Sequence, residues 1–248
     1  MYTRLKAAMI RKLGRYPEQL ELGSLAAAFK TKYGYLNSVK TGLPVDSNGA
    51  PLPWFTYPAI EFLDSLDLRE AFIFEWGSGN SSAFFARRCR EIESIESDFD
   101  WHKYQLAIIA KNQHLRLVPE GQNEYPNAIN SGNHKEYDLI VIDGKQRPLC
   151  AKYAFNKLKA GGILILDNSD WYPKLCRSFR DQGLMQLDFH GHGPINPYTW
   201  TTSAFLSACD PIFSNSLVNK RLSNEFYSKT GLVQVAIDDA LIDFISHS

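Results

Sequence analysis

Neither sign of charge predominates in this chain: 27 Lys+Arg meet 27 Asp+Glu across 248 residues, a formal net charge of zero. A neutral chain exerts no long-range pull on a polyanion, so nucleic acid is not an expected partner. Cysteine is scarce as well. Cys89, Cys150, Cys176 and Cys209 stand far apart and form no metal-like pair. That argues against a zinc site or a disulfide framework and for reduced thiols in the cytoplasm. Long apolar runs are missing: none approaches the ~18–20 residues that span a bilayer. The first residues also lack the apolar core and cleavage site of a secretory signal. There is no internal repeat and no low-complexity stretch. Hydrophobic content of 44% and charged content of 22% are ordinary globular usage, which excludes wholesale disorder.

What is present is unevenly distributed. Arg4, Lys6, Arg11, Lys12 and Arg15 interleave with Leu5, Ala8, Met9, Ile10 and Leu13 in an amphipathic helix pattern. A surface helix docked on the domain is the expectation, with peripheral membrane contact as the alternative. A second helical pattern runs from Leu20 to Tyr33, and the breaker-rich stretch 42–53 is a loop. Pro58 suits a helix start over 59–66, because its missing N–H would be unpaired there anyway. From residue 71 the pattern alternates. Strands are expected at 71–75, 92–96, 114–118, 137–142 and 161–166, with helices at 80–90, 100–111, 123–131 and 148–158. Gly161 and Gly162 are expected to end the last of these helices. Such alternation implies a parallel sheet covered on both faces. Residues 184–190 and 201–207 read as an antiparallel hairpin around a long Gly/Pro/Asn-rich loop. A helix is possible at 233–245.

One stretch carries the chemistry. Phe72, Ile73 and Phe74 form an apolar strand that ends on Glu75 and turns through Gly77 and Gly79 into a helix beginning near Ser81 and Ser82. Glycines at a strand-to-helix turn permit unusual backbone angles and a close approach by a ligand. Glu96 ends the next apolar run, twenty-one positions later. An acid there suits the adjacent hydroxyls of a ribose. The ligand expected from these residues contains a nucleoside.

Glu75-Trp-Gly-Ser-Gly-Asn-Ser81 resembles the first motif of the class I S-adenosylmethionine-dependent methyltransferases, with Ser81 where many members carry a third glycine. Ser94-Ile-Glu-Ser-Asp98 resembles the second motif, and Tyr137–Asp143 the fourth strand with its terminal acid. The resemblance covers roughly residues 70–207. It implies an α/β fold: a Rossmann-like seven-stranded sheet with helices on both faces and the final strand antiparallel, plus an N-terminal helical extension. It divides the chain into a cap (1–58), a cofactor-binding domain (59–209) and a C-terminal extension (210–248). The implied cofactor is S-adenosylmethionine. Gly77, Ser78, Gly79 and Ser81 would meet its carboxylate, and Glu75 its ammonium, directly or through water. Glu96 and Ser97 would meet the ribose, Trp101 would wall the adenine, and Glu120 and Gly121 would lie at the base edge, with Asp143 completing the site.

A narrower resemblance is to catechol-type O-methyltransferases. It implies that a magnesium ion, if one binds, is held by Asp143, Asp167 and Asn168. The sequence departs from that pattern at Gly144 and from Gln146 to Leu149. An Asx-type turn at 167–170 that caps the next helix, and direct contact with substrate, are the competing readings. Methyl transfer is an in-line displacement that depends on alignment, and an oxygen acceptor also benefits from a base. Asp143, Asp170, His190 and His192 are the candidates. The aromatic segments 53–57 and 194–200 are placed to cover a pocket. The expected activity is O-methylation of a small molecule in the cytoplasm. An NAD-type Rossmann oxidoreductase and a methyltransferase-like binding module without catalysis are the rivals.

Overall fold

The computed structural model describes residues 17–121, 123–207 and the backbone of 235–237, with side chains from residue 22. Two helices come first, α1 (Pro17–Thr31) and α2 (Tyr35–Thr41), followed by α3 (Tyr57–Ser65) with Pro58 in its first turn. The expected basic helix at the start of the chain lies outside the described residues. No described helix is long and apolar enough to cross a membrane.

The alternating region then builds the sheet. Strands β1 (Phe72–Trp76), β2 (Glu91–Glu96), β3 (Gln113–Leu117), β4 (Tyr137–Ile142) and β5 (Leu158–Leu166) are joined by α4 (Asn80–Ala86), α5 (Phe99–Leu106), α6 (Glu124–Asn127) and α7 (Arg147–Ala154). After α8 (Pro173–Asp181) come β6 (Met185–Gly191) and β7 (Trp200–Leu206), the expected hairpin. The strand order is β3-β2-β1-β4-β5-β7-β6, and a short β8 (Val235–Ile237) pairs with β6 at the edge. The first five strands are parallel, and β7 enters antiparallel between β5 and β6. The helix expected over 233–245 is therefore replaced by strand at 235–237; its other residues are outside the described set.

Two further expectations shift. Gly161 and Gly162 do not end a helix. A 3-10 turn ends at Lys157, and both glycines lie inside β5, where the register against β4 slips between Tyr137 and Leu139. Gly161 has φ +76°, and a Cβ on Gly162 would come within 3.0 Å of the Asp138 carbonyl oxygen. The pair makes a bulge, which glycine tolerates and other residues resist. The helices at 100–111 and 123–131 are also shorter than expected. The first stops at Leu106, and the second divides into α6 and a 3-10 turn at Ala128–Ser131.

Alternation along the strands creates two cores. Ile73, Leu139, Val141, Ile163 and Ile165 pack under α3 and α4, while Phe74, Trp76, Ile140, Ile142 and Leu164 pack on the other face with Tyr125, Cys150 and Phe179. Strands buried on both sides read as continuous apolar runs, as these do. Cys89 and Cys150 are free thiols.

Candidate functional site

The carboxyl ends of β1, β2, β4 and β5 meet around one glycine turn. Gly77 has φ +94°, and its N–H donates to the Ile95 carbonyl at 2.9 Å, which binds the turn to β2. A Cβ on Gly77 would lie 2.9 Å from the Gly144 backbone, so the turn also presses against the end of β4. Gly79 is different. A Cβ there would meet only the Trp101 ring, at 3.9 Å. The same turn is closed on one side and open on the other.

Glu75 is fully buried on the α4 face of β1. Its carboxylate accepts the Ser81 hydroxyl, the Ser82 hydroxyl at 2.5 Å and the Ser94 hydroxyl at 3.0 Å. Burial pushes its pKa up to about 7, against the lowering pull of those three hydroxyls. Glu75 thus braces the start of α4 from below, and Ser81, expected at the ligand, faces the acid instead. Glu96 is almost as buried but lies beside the turn. Its Oε2 accepts the Ser78 N–H (3.2 Å) and hydroxyl (3.0 Å), and its Oε1 accepts the N–H groups of Ser97 (2.7 Å) and Asp98 (2.8 Å). Trp101 reaches back over the turn, its indole N–H donating to the Ser78 carbonyl at 2.7 Å. Asp98 sets the indole's position by capping α5 through the Trp101 N–H. Glu120 and Gly121 form the rim. Glu120 is 4.0 Å from Lys145, and the Gly121 carbonyl accepts Gln146 Nε2 at 3.2 Å.

Beyond Gly144 the ends of β4 and β5 are bound together by a residue that the sequence motifs did not single out. Arg147 donates to the Gly144 carbonyl (3.1 Å), the Asp143 carbonyl (2.8 Å) and carboxylate (3.0 Å), Asn168 Oδ1 (2.9 Å) and the Asp167 carbonyl. Five N–H groups have five acceptors. The signal in the sequence is slight: Arg147 follows Asp143 by four residues across a loop, and the helix begins only at Arg147 itself.

The clamp engages the groups that the catechol-type resemblance would give to a magnesium ion, if one bound. The guanidinium occupies the place between Asp143 and Asn168, while Asp167 Oδ1 accepts both Trp200 Nε1 (3.0 Å) and the Thr202 hydroxyl (2.5 Å). Three groups already bonded in this way do not fit a hard octahedral dication. The Asx cap is absent too. Asn168 has φ +49° and caps through no side chain, and the Asp167 carboxylate is engaged on β7. Among the described residues, the His/Asp/Glu group close enough for a metal is Glu91, Glu93 and His134, at the opposite end of the strands.

A cavity of about 300 Å³ opens beside the clamp, lined by Trp54, Asp143, Arg147, Asp167, Asn168, Trp171, Asn196, Tyr198 and Trp200. Burial raises the pKa values of both Asp143 and Asp167. Arg147 opposes the rise at Asp143, and Asp143 adds to it at Asp167. The aromatic segments expected to cover a pocket do line this one, through Trp54, Tyr198 and Trp200. The other base candidates are elsewhere. Asp170 accepts the Thr201 N–H at 3.1 Å, and His190 pairs with the Thr201 hydroxyl at 2.9 Å. His192 packs edge-on against Phe29 with ring centroids 5.8 Å apart.

An antiparallel strand inserted between β5 and β6 separates this sheet from the all-parallel dehydrogenase order. The seventh strand runs antiparallel, as the resemblance implied. No family model matches the chain, and no curated protein matches it. Several solved methyltransferase structures are similar in shape. Fibrillarin of Aeropyrum pernix, with natively bound S-adenosyl-L-methionine, is 16% identical with TM-score 0.46, over 58% of this chain and 72% of that one. A methyltransferase from Pyrococcus furiosus is 19% identical with TM-score 0.45, over 67% and 90%. Precorrin-6y C5,15-methyltransferase of Geobacter metallireducens is 12% identical with TM-score 0.45, over 61% and 87%. At such identities and TM-scores they say nothing of this chain's chemistry.

Proposed function

We propose that this chain is an S-adenosylmethionine-dependent methyltransferase that methylates an oxygen of a small molecule. The observation that carries the reading is the junction of Glu96 with the glycine turn, two strand ends from the cavity at Asp143. An open α/β sheet binds ligands outside the carboxyl ends of its strands, and here the ribose acid, the open side of Gly79 and an aromatic cavity lie along that edge. The cofactor fits these residues: Gly79 leaves room above the main chain, and the Ser78 hydroxyl on Glu96 is a donor that a ribose hydroxyl replaces like for like. When bound, S-adenosylmethionine supplies an electrophilic methyl group.

The chain's own part is alignment and proton handling. Gly77, pinned to β2 and β4, holds the turn rigid, and Trp101 covers it from the α5 side. Asp143 lines the acceptor cavity with its pKa raised by burial. A carboxylate of raised pKa is a stronger base toward a hydroxyl than an ordinary one. His190 and His192, bound elsewhere, take no part in this reading. The antiparallel β7 supports methyl transfer over the oxidoreductase alternative.

The deciding experiment is calorimetric titration with S-adenosylhomocysteine and with NAD. Saturable binding of the first and none of the second is expected. NAD binding alone would overturn the proposal.

A further inference from the structure

Four aromatic side chains and two carboxylates converge on the cavity beside Asp143, with one cation among them. Trp54, Trp171 and Tyr198 are 43%, 64% and 55% exposed, while Trp200 is buried and closes the inner wall. Apolar rings left in water at one place forgo the burial that stabilises a fold, and their clustering marks a binding surface. Indole and phenol faces attract cations through the ring quadrupole, most strongly for tryptophan.

Among the described residues, the acids around the cavity outnumber the cations. Arg147 is the lining cation, and each of its five N–H groups goes to a protein acceptor. No donor remains on it for an anionic ligand. A cation bound in the cavity favours the ionised forms of Asp143 and Asp167, and with both ionised the described lining carries one net negative charge. Burial raises both carboxyl pKa values, Asp143 adds to the rise at Asp167, and a cation in the cavity would oppose both effects. A magnesium ion does not fill the deficit, because the guanidinium stands between its expected ligands.

We propose that the cavity binds an organic cation: the molecule it accepts carries a quaternary or protonated amine, held against Trp54, Trp171 and Tyr198 with Asp143 and Asp167 behind it. The fate of that molecule rests on the methyltransferase reading; its binding does not. The side-chain amides of Asn168 and Asn196, which also line the cavity, offer hydrogen bonds to the neutral remainder of the ligand.

Choline and its uncharged isostere 3,3-dimethyl-1-butanol separate charge from shape. Each is titrated into the full chain, with and without S-adenosylhomocysteine, and followed by tryptophan fluorescence and calorimetry. Saturable choline binding at least tenfold tighter than that of the isostere is expected. Trp171 is exposed, so Trp171→Ala keeps the fold; it is expected to weaken choline at least fivefold while leaving S-adenosylhomocysteine affinity unchanged. Equal affinity for the two probes, or no choline binding, overturns the cation site whatever the nucleoside does. Failure of S-adenosylhomocysteine to bind, with choline still discriminated, overturns the methyltransferase reading instead.

Discussion

Arg147 holds Asp143 twice, by its carboxylate at 3.0 Å and by its main-chain carbonyl at 2.8 Å. The same guanidinium reaches Asn168 and the Asp167 carbonyl, so one side chain fastens the ends of two parallel strands. The planar fork is what makes this possible; a lysine presents its three donors from a single point.

Removing the clamp leaves a largely buried acid unpaired. Arg147→Met is expected to cost about 3 kcal/mol of unfolding free energy in urea, with Arg147→Lys restoring less than half of the loss. A cost below about 1 kcal/mol for the methionine variant would show that the five contacts contribute little.

The two glycines of the turn separate fold from ligand. Gly77→Ala meets a positive φ and the Gly144 backbone together, and is expected to destabilise the chain by roughly 2 kcal/mol or more. Gly79→Ala has room and should fold normally, yet it places a methyl group over the main chain where the cofactor approaches. Thermal unfolding near that of the parent, with S-adenosylhomocysteine affinity at least tenfold weaker, is the expected pair of results. Tight binding by the Gly79 variant would remove the turn from the site.

Glu96 and Ser78 compete and cooperate in the same place. Glu96→Gln keeps the shape but halves the acceptors, and calorimetry should show more than a tenfold loss in S-adenosylhomocysteine affinity. Ser78→Ala removes the hydroxyl that occupies Oε2, so affinity should hold or improve. A weaker Ser78 variant beside a normal Glu96 variant contradicts the ribose assignment.

Stability should fall as pH rises through neutrality. Burial raises the Glu75 pKa to about 7 in the folded chain, from the 4.5 of a free glutamate. Between those values the folded state keeps a proton that the unfolded state releases, so the contribution favourable to folding at low pH is lost as pH rises toward 7. Asp143 and Asp167, also raised, act in the same direction. The midpoint of urea unfolding should be lower at pH 8 than at pH 5.5, and Glu75→Gln should flatten the dependence. A profile as steep in Glu75→Gln as in the parent would mean that Glu75 is not among the groups responsible.

Much of the scaffold was readable without coordinates. Phe72–Phe74, Ile92–Ile95 and Leu139–Ile142 are short apolar runs between turn residues, and each is a strand within a residue or so of its expected bounds. Gly161 and Gly162 are ambiguous in sequence because glycine marks a helix end and a strand bulge alike; the β4–β5 register makes the choice. The histidines attracted notice for their chemistry, but His190 went to Thr201 and His192 to the face of Phe29. Glu75 was legible as an acid before a glycine turn. Its enclosure by three hydroxyls was not, because Ser94 comes from the neighbouring strand.

The sequence by itself determined the order of strands and helices, the glycine turn and the acids on either side of it. Those depend on periodicity and on backbone angles set by near neighbours. Tertiary structure alone decided where the charges point. Parallel pairing of β4 with β5 brought Arg147 to Asn168, and the return of β7 beside β5 drew Asp167 toward Trp200 and Thr202. A side chain's partner is chosen by whichever segments cross at its strand end, and no local pattern records that crossing.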